Sequence, residues 1–338
     1  MKSAVAVVLI VTALIGTLSM PAVCQTPAAP SQRRVSSTTS TLPEGVAVKD
    51  VHFYSEGIQC YGSVFKPKDL STESKAPAVV LAPGWGETAE SVWPFAAHFA
   101  SRGLVAMAID YRGWGRSGGF LQTVEPVKTD DRLRFSQMTA RVRIRRKRLI
   151  PQHQILDIRN ALYFLQGEPG VDRTRVGVWG RGMAGGHVLV IAATDARIKA
   201  AVAHLPVIEG KNATKTASVL SGELLQAEQK RVRIGEPQSS NPAAGALANL
   251  ETRVALADYH PFWYLEQIPQ TTAVLFVITD KESTVSDESH ATNASKLVKG
   301  PTNVVSIPAT RMRTVGSAAF DAAANAAAEW FLKHLGGT

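Results

Sequence analysis

Five short stretches, each with an apolar segment rich in Val, Ile, Leu or Ala, punctuate this chain: "APAVVLAPGWG" (76–86), "LVAMAIDYRGWGRSGG" (104–119), "VGVWG" (176–180), "IKAAVAHLP" (198–206) and "TAVLFVIT" (272–279). Continuous apolar strands, rather than alternating ones, belong to a parallel sheet covered on both faces. Between them lie helical spacings. In "PQHQILDIRNALYFLQGEPG" (151–170), Ile155, Ile158, Ala161, Leu162 and Leu165 share one face, and Gly167 and Pro169 end the helix. "SVWPFAAHFASRG" (91–103) and "AGGHVLVIAATD" (184–195) are further helices. "NVVSIP" (303–308) is a last strand, before a closing helix over 317–335 with Phe320, Ala324, Ala327, Phe331 and Leu335 inward. Strand–helix alternation predicts an α/β fold with a mostly parallel central sheet flanked by helices. Residues 207–265 lack clear strands and are expected to form a cap inserted over the carboxyl ends of the strands, where open α/β sheets bind ligands.

The amino-terminal end has a different character. Lys2, the apolar "AVAVVLIVTALIGTL" and the small residues of Ala22–Cys24 read as a secretory signal (1–24), cleaved after Cys24, with lipidation of Cys24 the weaker reading. Residues 25–45 are rich in Pro, Ser and Thr and read as a linker, so the folded domain is expected over 46–338, in a secreted or periplasmic protein without a transmembrane segment in its mature form. Only Cys60 then remains, a buried thiol with no disulfide partner.

The net charge is +9, and "RVRIRRKR" (Arg141–Arg148) puts six basic residues in eight. A solvated face is the ordinary reading of such a run; an anion, membrane-surface or nucleic-acid patch is the sharper one. No aromatic residue interleaves it, so single-strand stacking has no support and no nucleic-acid partner is expected.

"GVWGRGMAGGH" (177–187) is a strand, a glycine turn and a helix start. Gly180, Gly182 and Gly185 satisfy G-x-G-x-x-G, but the motif comes late in the chain. The acidic residue a dinucleotide site needs at the end of the next strand is also absent: "IKAAVAHLP" ends in His204, Leu205 and Pro206. The same turn fits G-x-S-x-G with Gly182 in the serine's place.

The surrounding motifs carry a resemblance. "PGWG" after the first buried strand, "DYRGWGRSGG" after the next, and "ILDIRNALYFLQGEPGVDRTRVGVWG" leading into the turn resemble the α/β-hydrolase superfamily. "GGHVLVIAATDARIKAAVAHLPVIEG" resembles its secreted dienelactone-hydrolase-like and polyketide-transferase-like branch, over about residues 48–335. The resemblance implies a serine nucleophile, a base and an acid, with two backbone N–H groups holding the oxyanion. Carried across, the oxyanion donors are the backbones of Trp85 and Met183. The nucleophile position is Gly182, and the acid is Glu282, with Asp280 as second candidate. Arg311 falls at or next to the histidine position. Glycine cannot attack, and an arginine cannot serve as a general base.

Ser117 corresponds to a structural serine of the family. His187, His204 and His260 are each more often structural than chemical; Arg181, His187 and His260 are the candidates for lining the pocket. No His/Cys/Asp cluster has metal-ligand spacing, and no cofactor is called for. The residues therefore favour a hydrolase-fold protein with a degenerate triad, non-catalytic or very weak, that binds a small carbonyl or anionic ligand or a partner; Arg181 and Arg311 near the site favour an anionic group. The alternative is an active esterase, lactonase or acyl hydrolase with an unrecognised nucleophile.

Overall fold

Successive side chains along a strand go to opposite faces of a sheet, so an unbroken Val/Leu/Ala strand builds two cores at once. This is how the chain is organised in the computed structural model, which describes residues 42–128, 132, 135–210, 223–234, 250–279, 288–308 and 316–336. The first strands are β1 (Val46–Ser55), β2 (Ile58–Pro67) and β3 (Ala76–Ala82). After them come α1 (Trp93–Ser101), β4 (Val105–Ile109), β5 (Phe120–Thr123), β6 (Val142–Arg145) and α2 (Pro151–Gln166). Next are β7 (Val171–Arg181), α3 (Met183–Thr194) and β8 (Ile198–His204). Two helices, α4 (Glu223–Ile234) and α5 (Leu250–Ala257), and a 3-10 stretch Pro261–Gln267 lead to β9 (Ala273–Thr279). The chain closes with α6 (Glu288–Ser295), β10 (Thr302–Ile307) and α7 (Ala318–Leu335).

Eight strands form one sheet in the order β1-β2-β4-β3-β7-β8-β9-β10. Only β1–β2 and β2–β4 are antiparallel; the other neighbours are parallel. Val80 of β3 and Phe276 of β9 join one core with Ile158 and Leu162 of α2 and Val188 of α3. Val79, Leu81, Leu275 and Val277 join the opposite one, with Phe95 and Phe99 of α1 and Phe320 and Phe331 of α7. Each fully buried side chain of this size contributes about 1.5–3 kcal/mol. Trp179, next to the glycine turn, is fully buried on the α1/α7 side.

The segment expected as a cap, 207–265, holds α4, α5 and the start of the 3-10 stretch, and no strand among its described residues. The predicted signal and all but the last four linker residues lie outside the described residues, as do Asp280, Glu282 and Arg311. Among the described residues, no helix is long and apolar enough to cross a membrane, and none group as metal ligands.

Two features went unforeseen. Val46–Ser55 forms β1, a strand the sequence patterns did not single out. The basic run is no simple solvated face: it forms β6, which pairs with β5 as a separate antiparallel two-stranded sheet. Arg145 and Arg148 both bind the Glu251 carboxylate on α5, and Arg146 donates to the carbonyls of Gly115 and Ser117. The run thus ties the turn after β4 and the helix α5 to β6.

Candidate active site

Parallel register brings the site's two loops together. Ala82, at the end of β3, lies opposite Gly180 near the end of β7, so the "PGWG" loop and the glycine turn leave the same edge side by side. A Cβ placed on Gly84 would sit 3.2 Å from the Arg181 carbonyl, a measure of how closely the two backbones approach. Trp85 is half-buried against the cluster that contains Met183, Leu149 and Tyr259. Met183 is the first residue of α3. Among the described residues no acceptor is assigned to the N–H of Trp85 or of Met183, while their neighbours' amides are used: Glu87 donates to Gly84 and Gly185 to Gly182. The two groups the resemblance designates as oxyanion donors are placed on adjoining loops.

Gly182 has φ +60° and ψ −117°. This is the strained conformation of a strand-to-helix elbow, costing a non-glycine residue about 1–3 kcal/mol. The turn is fixed on both sides. The Gly182 N–H donates to the His204 carbonyl (2.9 Å), and the Gly182 carbonyl accepts from Val207 (2.9 Å) and Gly185 (3.0 Å). A Cβ built on Gly182 meets none of the described residues within 4 Å. The other glycines of the turn are different. A Cβ on Gly180 would strike the Ala184 carbonyl at 2.2 Å, one on Gly185 would meet Pro206 at 2.7 Å, and one on Gly186 the Val207 carbonyl at 2.3 Å. Three glycines are there for close backbone contact; the fourth faces open space.

Arg181 is buried, and its guanidinium binds the Glu87 carboxylate at 2.6 Å. The same Glu87 oxygen accepts the Gly84 N–H (3.0 Å), so one ion pair ties the elbow to the "PGWG" loop. Tyr111 adds a hydrogen bond from its hydroxyl to the Pro83 carbonyl (3.2 Å).

His187 has no exposure. Its Nε2 donates to the Gln154 side-chain oxygen (2.9 Å), leaving Nδ1 to accept from the Tyr259 hydroxyl (2.7 Å). Burial holds its pKa down at about 3, so it is neutral. His204 is likewise buried and lowered to about 3, first by burial and then by Arg181. His260 is set apart from these two. Its Nδ1 lies 2.9 Å from the Glu209 carboxylate, and its ring stacks on Trp263 at 4.1 Å between centroids. Phe262 donates to the Ile208 carbonyl, and Val207 to that of Gly182, so one short loop connects this pair to the elbow.

The remaining resemblance motifs have structural roles. Asp110 accepts the Ala89 and Arg116 N–H groups, each at 2.7 Å. Arg112 donates to Asp157 of α2 (Nε–Oδ1 2.8 Å) and also to Ser55 and Glu56. Ser117 donates to the Asp110 carbonyl and accepts from Tyr61 N–H. Burial pushes the Cys60 thiol up to about 12, which keeps it inert. Sequence reasoning did not find Glu87, Gln154, Glu209 or Tyr259. Arg181 and Glu87 are 94 positions apart, and no local pattern joins them.

A family profile described as Acetyl xylan esterase (AXE1) matches residues 32–212. The chain is 26% identical over 208 residues to the quorum-quenching protein AidA of Acinetobacter baumannii, covering 61% of this chain and 60% of AidA. It is 25% identical over 180 residues to thiohydrolase aneE of Aspergillus aculeatus, covering 52% and 49%. The chain thus spans about half to three fifths of the length of these curated relatives. The crystal structure of the α/β hydrolase GrgF from Penicillium superposes with a TM-score of 0.65 at 18% identity, covering 86% of this chain and all of GrgF. The resemblance to the α/β-hydrolase superfamily holds, and the fold is an α/β-hydrolase fold.

Proposed function

This chain belongs to the acetyl xylan esterase (AXE1) family, and we propose that it is an exported member that binds a small carbonyl or carboxylate ligand without forming an acyl-enzyme. One observation carries the reading: Gly182 keeps the elbow's strained backbone while leaving the nucleophile's place empty of side chain. A nucleophile is the one component of acyl transfer that backbone cannot supply. The oxyanion donors are backbone, and Trp85 and Met183 remain poised on adjoining loops to hold a C–O oxygen. Arg311, at or next to the histidine position, leaves the sequence without the base there and adds a positive charge suited to an anionic group. The apolar leader over residues 1–24 supports export.

The test is turnover and binding on one preparation. Short-chain p-nitrophenyl esters and acyl thioesters should be hydrolysed no faster than in buffer, while native mass spectrometry should find a small carboxylate or ester retained by the purified protein. Enzymatic turnover sinks this reading.

A second reading, an active acyl hydrolase, has its own observation: the His260–Glu209 pair has the spacing of a base and its orienting carboxylate. It gains weight from the thiohydrolase and acetyl xylan esterase relationships. It requires that any turnover found be lost in His260→Gln.

A further inference from the structure

The arm formed by β5 and β6 is the part of the molecule that the hydrolase site does not use. Its two faces differ. Phe120 and Gln122 lie opposite Arg145 and Arg143, and Leu121 and Thr123 lie opposite Ile144 and Val142. Since neighbours along a strand alternate faces, Leu121, Thr123, Val142 and Ile144 share one face of the ribbon. That face is bare: Leu121 is 68% exposed and Ile144 64%. In the connection between the strands, Phe135 is 91% exposed and Met138 48%.

The other face is anchored. Phe120 packs beneath the guanidinium of Arg148, 4.6 Å from its ring centre, and against His153, while Arg145 holds Glu251. The arm is therefore held to the body by its back, with its apolar face outward.

Charge narrows the occupant. Residues 120–148 carry nine basic and three acidic residues, a net +6 of the chain's +9. Arg145, Arg146 and Arg148 are engaged with the body, and Arg141 pairs with Glu125 on the arm itself. Arg143 and Lys147 are exposed. A second copy of this chain that met arm against arm would set two clusters of net +6 against each other. A soluble polyanion satisfies the charge and leaves Leu121, Ile144 and Phe135 in water. An anionic bilayer meets both requirements, taking apolar side chains into its headgroup boundary while its phosphates meet the cations.

We propose that the β5–β6 arm is a membrane-docking element that seats the protein on anionic lipid surfaces through Leu121, Ile144 and Phe135, with the exposed Arg143, on the ribbon's opposite face, and Lys147, just beyond β6, reaching the phosphates around its edges. Each juxtamembrane cation supplies roughly a fivefold gain in affinity.

Sedimentation of the full chain with phosphatidylglycerol/phosphatidylcholine vesicles, against phosphatidylcholine alone, tests this. The arm predicts binding to the anionic vesicles only, weakening with salt. Leu121→Ser with Ile144→Ser should cut it at least tenfold, and Arg143→Glu about twentyfold, both with an unchanged Tm. Absence of binding overturns the proposal, as does binding that neither variant alters. A dimer in light scattering that the apolar double variant dissolves, without vesicle binding, assigns the face to a second copy. Heparin binding without vesicle binding assigns it to a polyanion. Either result also overturns the membrane reading.

Discussion

Two glycine turns follow strands β4 and β7, and both hold a glycine at positive φ: Gly115 at +48° and Gly182 at +60°. Around Gly115 there is no room. A Cβ there would fall 2.0 Å from the Asp110 carboxylate, which is occupied by two backbone amides. Around Gly182 no described residue comes within 4 Å of such a Cβ. The first glycine is required by packing; the second is tolerated by the backbone and faces a space where a side chain would fit. The β4 turn thus persists for the stability of the fold, and the β7 turn keeps its shape through bonds from neighbouring strands. A glycine at position 182 therefore forgoes no side-chain contact with the described residues.

Changes that break or sharpen this contrast differ in size. The largest is Asp157→Ala, which strands the Arg112 guanidinium, itself 2% exposed, without its buried partner. Loss of one member of such a pair costs about 3–5 kcal/mol, read as a fall in the urea midpoint. Gly115→Ala is next. Displacing the Asp110 carboxylate from its amides combines overpacking with a broken charged hydrogen bond, at about 3 kcal/mol.

Acid acts on the region behind the β7 turn. His187 is held neutral with its pKa near 3, below its ordinary value of about 6.5, so the unfolded chain binds the extra proton. Its contribution is complete above pH 6.5 and falls as pH drops toward 3, by about 2 kcal/mol at pH 5. A His187→Phe variant should show a shallower stability loss between pH 6.5 and 4, whatever its stability at neutral pH. The smallest effect is Gly182→Ala. Strain of about 1–3 kcal/mol is offset in part by the lower entropy of the unfolded chain, leaving about 1 kcal/mol. If Gly182→Ala costs as much as Gly115→Ala, the open space at the elbow is wrong.

The sheet was legible because five unbroken apolar runs can only be buried strands, and each was found within a few residues of where its pattern placed it. The arm was not legible. "RVRIRRKR" reads as charge, and β6 exists because Val142–Arg145 finds β5 some twenty residues back in the chain. In the site, Trp85, Gly182 and Met183 could be placed from the resemblance, since loop order follows strand order. The Arg181–Glu87 and His187–Gln154 contacts join side chains 94 and 33 positions apart, and only the packed sheet defines such pairs. Arg181 was expected to favour an anionic ligand; its guanidinium is bound to Glu87.

The central claim is an intact elbow without a nucleophile, and reaction with a fluorophosphonate probe, read by intact mass and peptide mapping, tests it most directly. The account predicts no adduct on the native chain under conditions that fully label a control serine hydrolase. A stoichiometric adduct on any serine of the native chain contradicts it.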